Sequence, residues 1–397
     1  MANIVYTECR GGQRFWMLFT GLLVLVAIGA LSALYMEHNG HIVTGMSNEI
    51  VWGMPHVFAV FLIVIASGVL NIASLGSVFG EMHYKPKARL SGVLAITFLV
   101  GGLAILVLDL GRPDRLTVAM TNYNFRSIFA WNVILYSGFI GVVLAYLVVQ
   151  MTRRWARFTP HVGLAAFLWR LTLTTGTGSI FGFLMARSPY GSAVLAPLFI
   201  AMSLAYGLAV FILIRLALES SASRGLGEEL LQRLMRLLVI FVGSVLYFSG
   251  VFHFTSIYTA WRVDWEAYLL LDGGLYTLLF WGLYVVLGTL VPMVMLYGRS
   301  GISRTREIVS SVLVLVGGFA HIYVIIVGGQ AYPLKLFPGY EVTSSFNDGI
   351  VARYVPTLPE IGLGVGGAAL ALVLAMMAMR LFRLLPKGEG ESYADAA

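Results

Sequence analysis

Charge is scarce in this chain. Asp, Glu, Lys and Arg make up 11% of its 397 residues, against roughly 25% in a soluble protein. A surface with so few ions cannot all face water, so most of it must face lipid. Cysteine is scarcer still: Cys9 stands alone. One thiol excludes an internal disulfide, a thiolate zinc site and an iron–sulfur cluster held by the chain itself. No apolar stretch precedes Cys9, so a cleaved lipoprotein signal is not expected. Also missing are a phosphate-binding loop ending in Lys-Ser/Thr, a Gly-x-Gly-x-x-Gly turn and a His-Glu-x-x-His pair. Arg170 and Arg215 form no arginine ladder. Nucleotide-driven pumps, zinc proteases and voltage sensors therefore have no support.

Hydrophobic length is what the chain has. Apolar residues fill 59% of it, and a span needs about 20 of them to cross roughly 30 Å of hydrocarbon. Ten runs qualify: Phe15–Tyr35, Val51–Phe79, Leu90–Leu108, Ile128–Val149, Val162–Met185, Ala193–Leu218, Leu234–Tyr258, Gly274–Tyr297, Ile308–Val327 and Ile361–Phe382. They predict an all-α integral membrane protein with ten transmembrane helices in one membrane domain, residues 1–397. The first run is too long for a signal peptide and continues through Ser32-Ala33-Leu34-Tyr35 without a cleavage site. Ten crossings put both termini on one side. Eighteen of the 26 basic residues fall on that side, seven on the other, and Arg170 within a span. Cations favour the cytoplasmic side, so the expected topology is N-in and C-in. The net charge of +7 is then an orientation signal rather than a sign of nucleic acid. The eight central helices are expected to form two four-helix bundles, with the first and last helices as additions.

Polar chemistry gathers at the outer ends. The longest outer loop, Gly328–Glu360, is rich in Tyr, Phe, Pro and Gly, and is expected to pack over the helices or hold a partner. His56, His253 and His321 lie inside apolar runs, all in the outer half. Ionisable groups there mark function; the alternative is a neutral imidazole bonded to a neighbouring carbonyl. His56 follows Trp52-Gly53-Met54-Pro55, with Pro55 suited to a first helical turn. Asp109-Leu110-Gly111-Arg112-Pro113-Asp114-Arg115 ends the third run, either as a turn closed by ion pairs or with Asp109 as a proton acceptor. Thr121-Asn122-Tyr123-Asn124-Phe125-Arg126-Ser127 leads into the fourth, with Trp131 and Asn132 a turn deeper. Its amides, phenol and guanidinium can hydrogen-bond a carbonyl ring. Asp264, Glu266 and Asp272 form an acidic cluster between spans seven and eight, where Asp272 suits a helix N-terminus. Two classes fit: a quinone-reactive redox subunit, or a b-type cytochrome or secondary transporter.

Three stretches carry a family resemblance: Trp52–His56, Leu110–Arg115 and Asn124–Trp131, with Gly328-Gly329-Gln330 closing the ninth run. Over about Val51–Gln330 the chain resembles the NrfD/PsrC family, the integral membrane subunits of polysulfide-reductase-like respiratory complexes. Its ten runs resemble the HybB/DsrP branch, and Trp52–Phe58 looks most like the DsrP type, found in sulfur metabolism. The resemblance implies a quinone (menaquinone or ubiquinone) near the outer face and no haem or metal in this chain. It implies a ferredoxin-like iron–sulfur protein on the periplasmic face, other membrane and cytochrome subunits, and a bacterial cytoplasmic (inner) membrane. In polysulfide-reductase-type members a His, an Asn and a Tyr hold the ring. His56 matches the His, Gly53 stands where the Asn would be, and Tyr123, in preference to Tyr136, matches the Tyr. The expected site is His56, Asp109, Tyr123 and Arg126, with Asn124, Trp131 and His253 secondary; His321 stands where eight-span relatives tend to have Arg.

Overall fold

A buried backbone in lipid must satisfy its own hydrogen bonds, and helices do this within one segment. The computed structural model describes residues 5–9, 11–222, 228–272, 274–297, 303–334 and 349–386. Its long helices are α1 (Gln13–Asn39), α2 (Met54–Ser77), α3 (Ala88–Leu108), α4 (Ile128–Met151), α5 (Thr159–Gly182), α6 (Leu195–Ala222), α7 (Glu228–Tyr258), α8 (Leu275–Leu296), α9 (Arg304–Ala331) and α10 (Leu358–Leu381). Among the described residues, nine helices are long and apolar enough to cross a membrane. The exception is α5, which is 24 residues long but interrupted by Arg170 and by several Thr and Gly residues.

The helices form two rings. One joins α2, α3, α4 and α5; the other joins α6, α7, α8 and α9; α2 and α6 lie against each other across the seam. That seam is close because Gly68 and Gly207 face one another there. A Cβ on Gly68 would collide with the Ser203 carbonyl, and one on Gly207 would meet the Gly68 backbone at 2.3 Å. Small residues at such crossings let helix backbones touch and gain dispersion contact that lipid cannot supply. The two added helices pair with each other: α1 packs along α10, with Gly29 against Gly366. Helix α10 also covers α3, where Gly101 meets the Gly367 carbonyl.

The first and last described segments lie together at one end of the bundle. Tyr6–Thr7 pairs antiparallel with Leu385–Pro386, and the Cys9 N–H donates to the Met379 carbonyl at 2.8 Å. At the far end, described parts of the other connections touch: Gly111 lies against His41, Arg187 bonds the Glu49 carbonyl, Arg262 the Tyr190 carbonyl, and Gly45 donates to Glu360 at the start of α10. Residues 335–348, most of the predicted outer cap, lie outside the described residues, as do Arg10, Arg224, Arg299, Lys335 and Lys387 of the charge count.

Candidate functional site

The far end holds a buried imidazole–carboxylate pair. Pro55 occupies the first turn of α2, where its missing N–H leaves nothing unsatisfied. His56 follows it. Asp109 ends α3, its N–H donating to the Ile105 carbonyl at 3.0 Å. His56 Nδ1 lies 3.0 Å from Asp109 Oδ2, with side-chain exposures of 25% and 1%. The approach is short but off the hydrogen-bond angle, so Nδ1 and both carboxylate oxygens have no hydrogen-bond partner within the protein. A carboxylate this buried is costly as a lone anion. The His56 imidazole is the group the protein sets beside it.

Gly111 explains why Asp109 turns inward. Its φ of 67° is left-handed, open to glycine at little cost, and a Cβ there would sit 3.2 Å from His41 Nε2. Past this turn Arg112 and Arg115 are exposed. Asp109 thus meets His56 rather than the arginines of its own turn.

The start of α2 is fixed by polar side chains from distant elements. Gln330 Oε1 accepts from the N–H groups of Val51 and Trp52, and its Nε2 donates to the carbonyls of Trp52 and Ile326, all at 2.9–3.0 Å. Arg187 donates to the Gln330 and Glu49 carbonyls at 2.7 and 2.8 Å. Tyr354 accepts from the Met54 N–H and donates to Glu360, both at 2.6 Å. Burial, then the Glu360 carboxylate, pushes the Tyr354 phenol well above its usual range, so it remains a donor. Glu360 also closes a capping box with Thr357 and accepts from the Gly45 N–H at 2.8 Å. Gly53 stands against this hub: a Cβ there would lie 2.6 Å from both Glu360 Oε1 and the Tyr354 hydroxyl. The asparagine that the resemblance implies for this position would have to displace these groups.

The Tyr123–Trp131 segment forms a separate turn. Tyr123 stacks on Phe125 with centroids 5.9 Å apart, and Trp131 Nε1 donates to the Phe125 carbonyl at 2.9 Å. Asn124 Oδ1 accepts from the Arg126 N–H at 3.1 Å. Asn124, Arg126 and Trp131 are exposed. The segment reaches the pair through Phe129, whose ring lies 6.0 Å from Trp52, itself 6.3 Å from His56. Tyr136 is buried within α4.

His253 lies in the other ring of helices. Its Nδ1 is 2.7 Å from Glu266 Oε2, and it shares a cavity of about 20 Å³ with His321, Trp265 and Phe280. A cavity of that size holds about one water, whereas ligand pockets run to ~300–1,000 Å³. The expected acidic cluster separates, with Glu266 buried on His253 and Asp264 and Asp272 exposed. Among the described residues no three His, Cys, Asp or Glu side chains converge as metal ligands would. Sequence reading missed the bonding roles of Gln330, Arg187, Tyr354 and Glu360. Only the stretch from Thr357 to Glu360, a capping-box pattern, carried a local signal.

Comparison with known proteins gives the family. The family described as "Polysulphide reductase, NrfD" matches residues 42–333. The chain is 27% identical to the Hdr-like menaquinol oxidoreductase integral membrane subunit of Archaeoglobus fulgidus, over 95% of this chain and 96% of that one. It is 26% identical to a putative dimethyl sulfoxide reductase membrane subunit of Halobacterium salinarum, over 96% and 94%. Protein NrfD of Escherichia coli is 26% identical over 62% of this chain and 84% of that one.

Proposed function

This chain belongs to the polysulphide reductase NrfD family, and from that premise we propose that it exchanges electrons between a quinone pool and an extracytoplasmic iron–sulfur partner, with His56 and Asp109 at the quinone. It is a multi-pass membrane subunit of an oxidoreductase complex. The observation that carries the reading is the buried His56–Asp109 pair, whose facing atoms have no hydrogen-bond partner in the protein. With Nδ1 turned to Asp109, the other ring nitrogen of this partly exposed imidazole suits a ring carbonyl, and the carboxylate behind it takes up the proton. A bound quinol supplies electrons and protons together. A neutral imidazole accepts a proton on one nitrogen while releasing one from the other. Asp109, shielded from water, keeps the transferred proton within the pair until it leaves outward. Tyr123, Asn124, Arg126 and Trp131 form the mouth, adjoining the pair across Phe129 and Trp52. His253 is committed to Glu266 and has no part in this site.

The pairing of Tyr6–Thr7 with Leu385–Pro386 supports an even number of crossings, with α5 as the tenth. The basic residues then make the face of that pairing cytoplasmic, and the His56–Asp109 end extracytoplasmic. The whole chain acts as one membrane unit. Exposed Arg112, Arg115 and Arg126, with a neighbouring cleft of about 320 Å³ lined by Asn48, Glu49, Arg187, Gln330 and Tyr332, form the docking face for a ferredoxin-like subunit. The Archaeoglobus relative, named for menaquinol, favours menaquinone. The DsrP-like Trp52–Phe58 stretch favours a sulfur-metabolism complex, with cytochrome subunits, in a bacterial cytoplasmic membrane.

The test is quinol turnover per assembled complex. His56→Ala and Asp109→Asn are expected to abolish turnover with a quinol analogue while assembly persists. Normal turnover per assembled His56→Ala complex would remove His56 from the site.

A further inference from the structure

We propose that Tyr354 is a redox-active tyrosine: reached through a row of other tyrosines, it traps the oxidising equivalent of an oxygen-centred radical that arrives at the far end of the molecule. The row starts at Tyr268, half-buried in the α7–α8 connection. Its ring centroid lies 6.3 Å from that of Tyr276, in the first turn of α8. Tyr276 stacks on Tyr323 of α9 at 6.2 Å, and Tyr323 lies 6.5 Å from Tyr354. Tyr332 and Trp265 widen the outer end, their centroids 5.5 and 5.8 Å from Tyr268. The oxidisable rings are unbroken from Tyr268 to Tyr354. Tyrosine is common at membrane interfaces, where its ring and hydroxyl suit the headgroup layer. That accounts for Tyr258, which is 93% exposed, but not for Tyr276, Tyr323 and Tyr354, at 7%, 6% and 5%.

The row stops at Tyr354 because a base is placed there. A phenol that loses an electron becomes a strong acid, so it is oxidised most easily where a hydrogen-bonded base takes its proton in the same step. Tyr354 Oη donates to Glu360 Oε1 at 2.6 Å. The other carboxylate oxygen is already engaged. Glu360 Oε2 accepts from the N–H groups of Gly45 and Thr357 at 2.8 Å each, and from the Thr357 hydroxyl at 3.0 Å. The helix cap therefore uses Oε2, and Oε1 is left to the phenol. Glu360 is fully buried. Gly53 closes the remaining side, since a Cβ there would lie 2.6 Å from both Glu360 Oε1 and the Tyr354 hydroxyl. A phenoxyl radical formed here is shielded from water and from other radicals, and so persists.

Tyrosine gives up an electron only to an oxidant much stronger than a quinone, so the row is not the path of quinol electrons. It suits oxygen-centred radicals. Such a radical takes one electron from Tyr268 and one proton from the outer water, and becomes a hydroxyl compound. Tyr268 is refilled by Tyr276, Tyr276 by Tyr323 and Tyr323 by Tyr354, each passing one electron. The Tyr354 proton moves to Glu360 Oε1. The net result is a reduced oxidant, a neutral Tyr354 phenoxyl radical and a protonated Glu360. A reductant of the thiol or ascorbate class returns one electron along the same row, and Glu360 returns the proton.

The inference is tested without quinol. The full chain in detergent is oxidised from the aqueous side by flash-generated tris(bipyridine)ruthenium(III), with a cobalt(III) ammine as the irreversible electron acceptor. Samples are frozen after the flash and read by electron paramagnetic resonance. The wild type is expected to show a persistent neutral tyrosyl signal. Tyr354→Phe is expected to lose it. Tyr323→Phe keeps a ring in the row and leaves Tyr354 and Glu360 in place, and is also expected to lose it. Glu360→Gln, compared at equal folded protein, is expected to lose it for want of a proton acceptor. Tyr258→Phe, at an exposed position outside the row, is expected to match wild type. No persistent tyrosyl signal in the wild type, or a wild-type signal in Tyr354→Phe, Tyr323→Phe or Glu360→Gln, overturns the proposal. Neither outcome bears on quinol turnover at His56 and Asp109.

Discussion

At the scale of single residues, the site depends on polar atoms placed by distant parts of the chain. Gln330 makes four hydrogen bonds, three of them to the backbone at the start of α2. Gln330→Ala takes the acceptor from the part-buried N–H groups of Val51 and Trp52, at a cost of about 1 kcal/mol. It is expected to lower the thermal midpoint of the purified protein and to reduce quinol turnover, because His56 sits in the first turn of the helix that Gln330 anchors. An unchanged midpoint would show that water replaces Gln330 there. His56 and Asp109 were each legible in the sequence from their type and local context. Their pairing was not, because it joins the start of one helix to the end of the next, and no local pattern reports such a contact. Glu266 was legible only as one of three neighbouring acids; burial on His253 separates it from the other two, and burial is a property of the fold. The mismatch at Gly53 is resolved by Glu360 and Tyr354, which lie some three hundred residues away in the chain.

Helices were the most legible elements, since run length and the cost of an unpaired backbone in lipid fix them almost alone. Every predicted run corresponds to a long helix, but α5 is less apolar than the rest. Arg170, within it, donates to Asn71 Oδ1 at 3.0 Å on α2, so its charge faces protein. Helix partners were not legible, because glycine positions fix crossings only once two helices are known to meet. The α1–α10 pair is an instance. Gly29→Leu would force a side chain into the Gly366 backbone, where even a Cβ comes within 2.7 Å of Cα. The expected outcome is separation of α1 from α10, at a cost of about 1–3 kcal/mol from overpacking. The α2–α9 core should survive. Cross-linking between cysteines placed at Val26 and Ala369 would report it: strong in the parent, weak in Gly29→Leu. Equal cross-linking in both would show that the two helices shift without parting.

For the whole molecule, the two rings of helices divide the polar chemistry: one holds His56–Asp109, the other His253–Glu266 and His321. Composition suggested eight central helices in two sets but could not say which histidine belonged to which. The far end joins the rings through Gln330 and Arg187, and its exposed Arg112, Arg115 and Arg126 are the proposed docking face. Arg112→Glu with Arg115→Glu is expected to release the iron–sulfur subunit from the purified complex, and the effect should weaken as salt is raised. Retention of the subunit in the double variant would move the docking face elsewhere. The most direct measurement of the central claim is photolabelling of the assembled complex with an azidoquinone, followed by peptide mapping. The account predicts label on Trp52–Phe58 and around Asp109, lost when excess quinone competes. Competed label around His253 and Trp265, with none near His56, would contradict it.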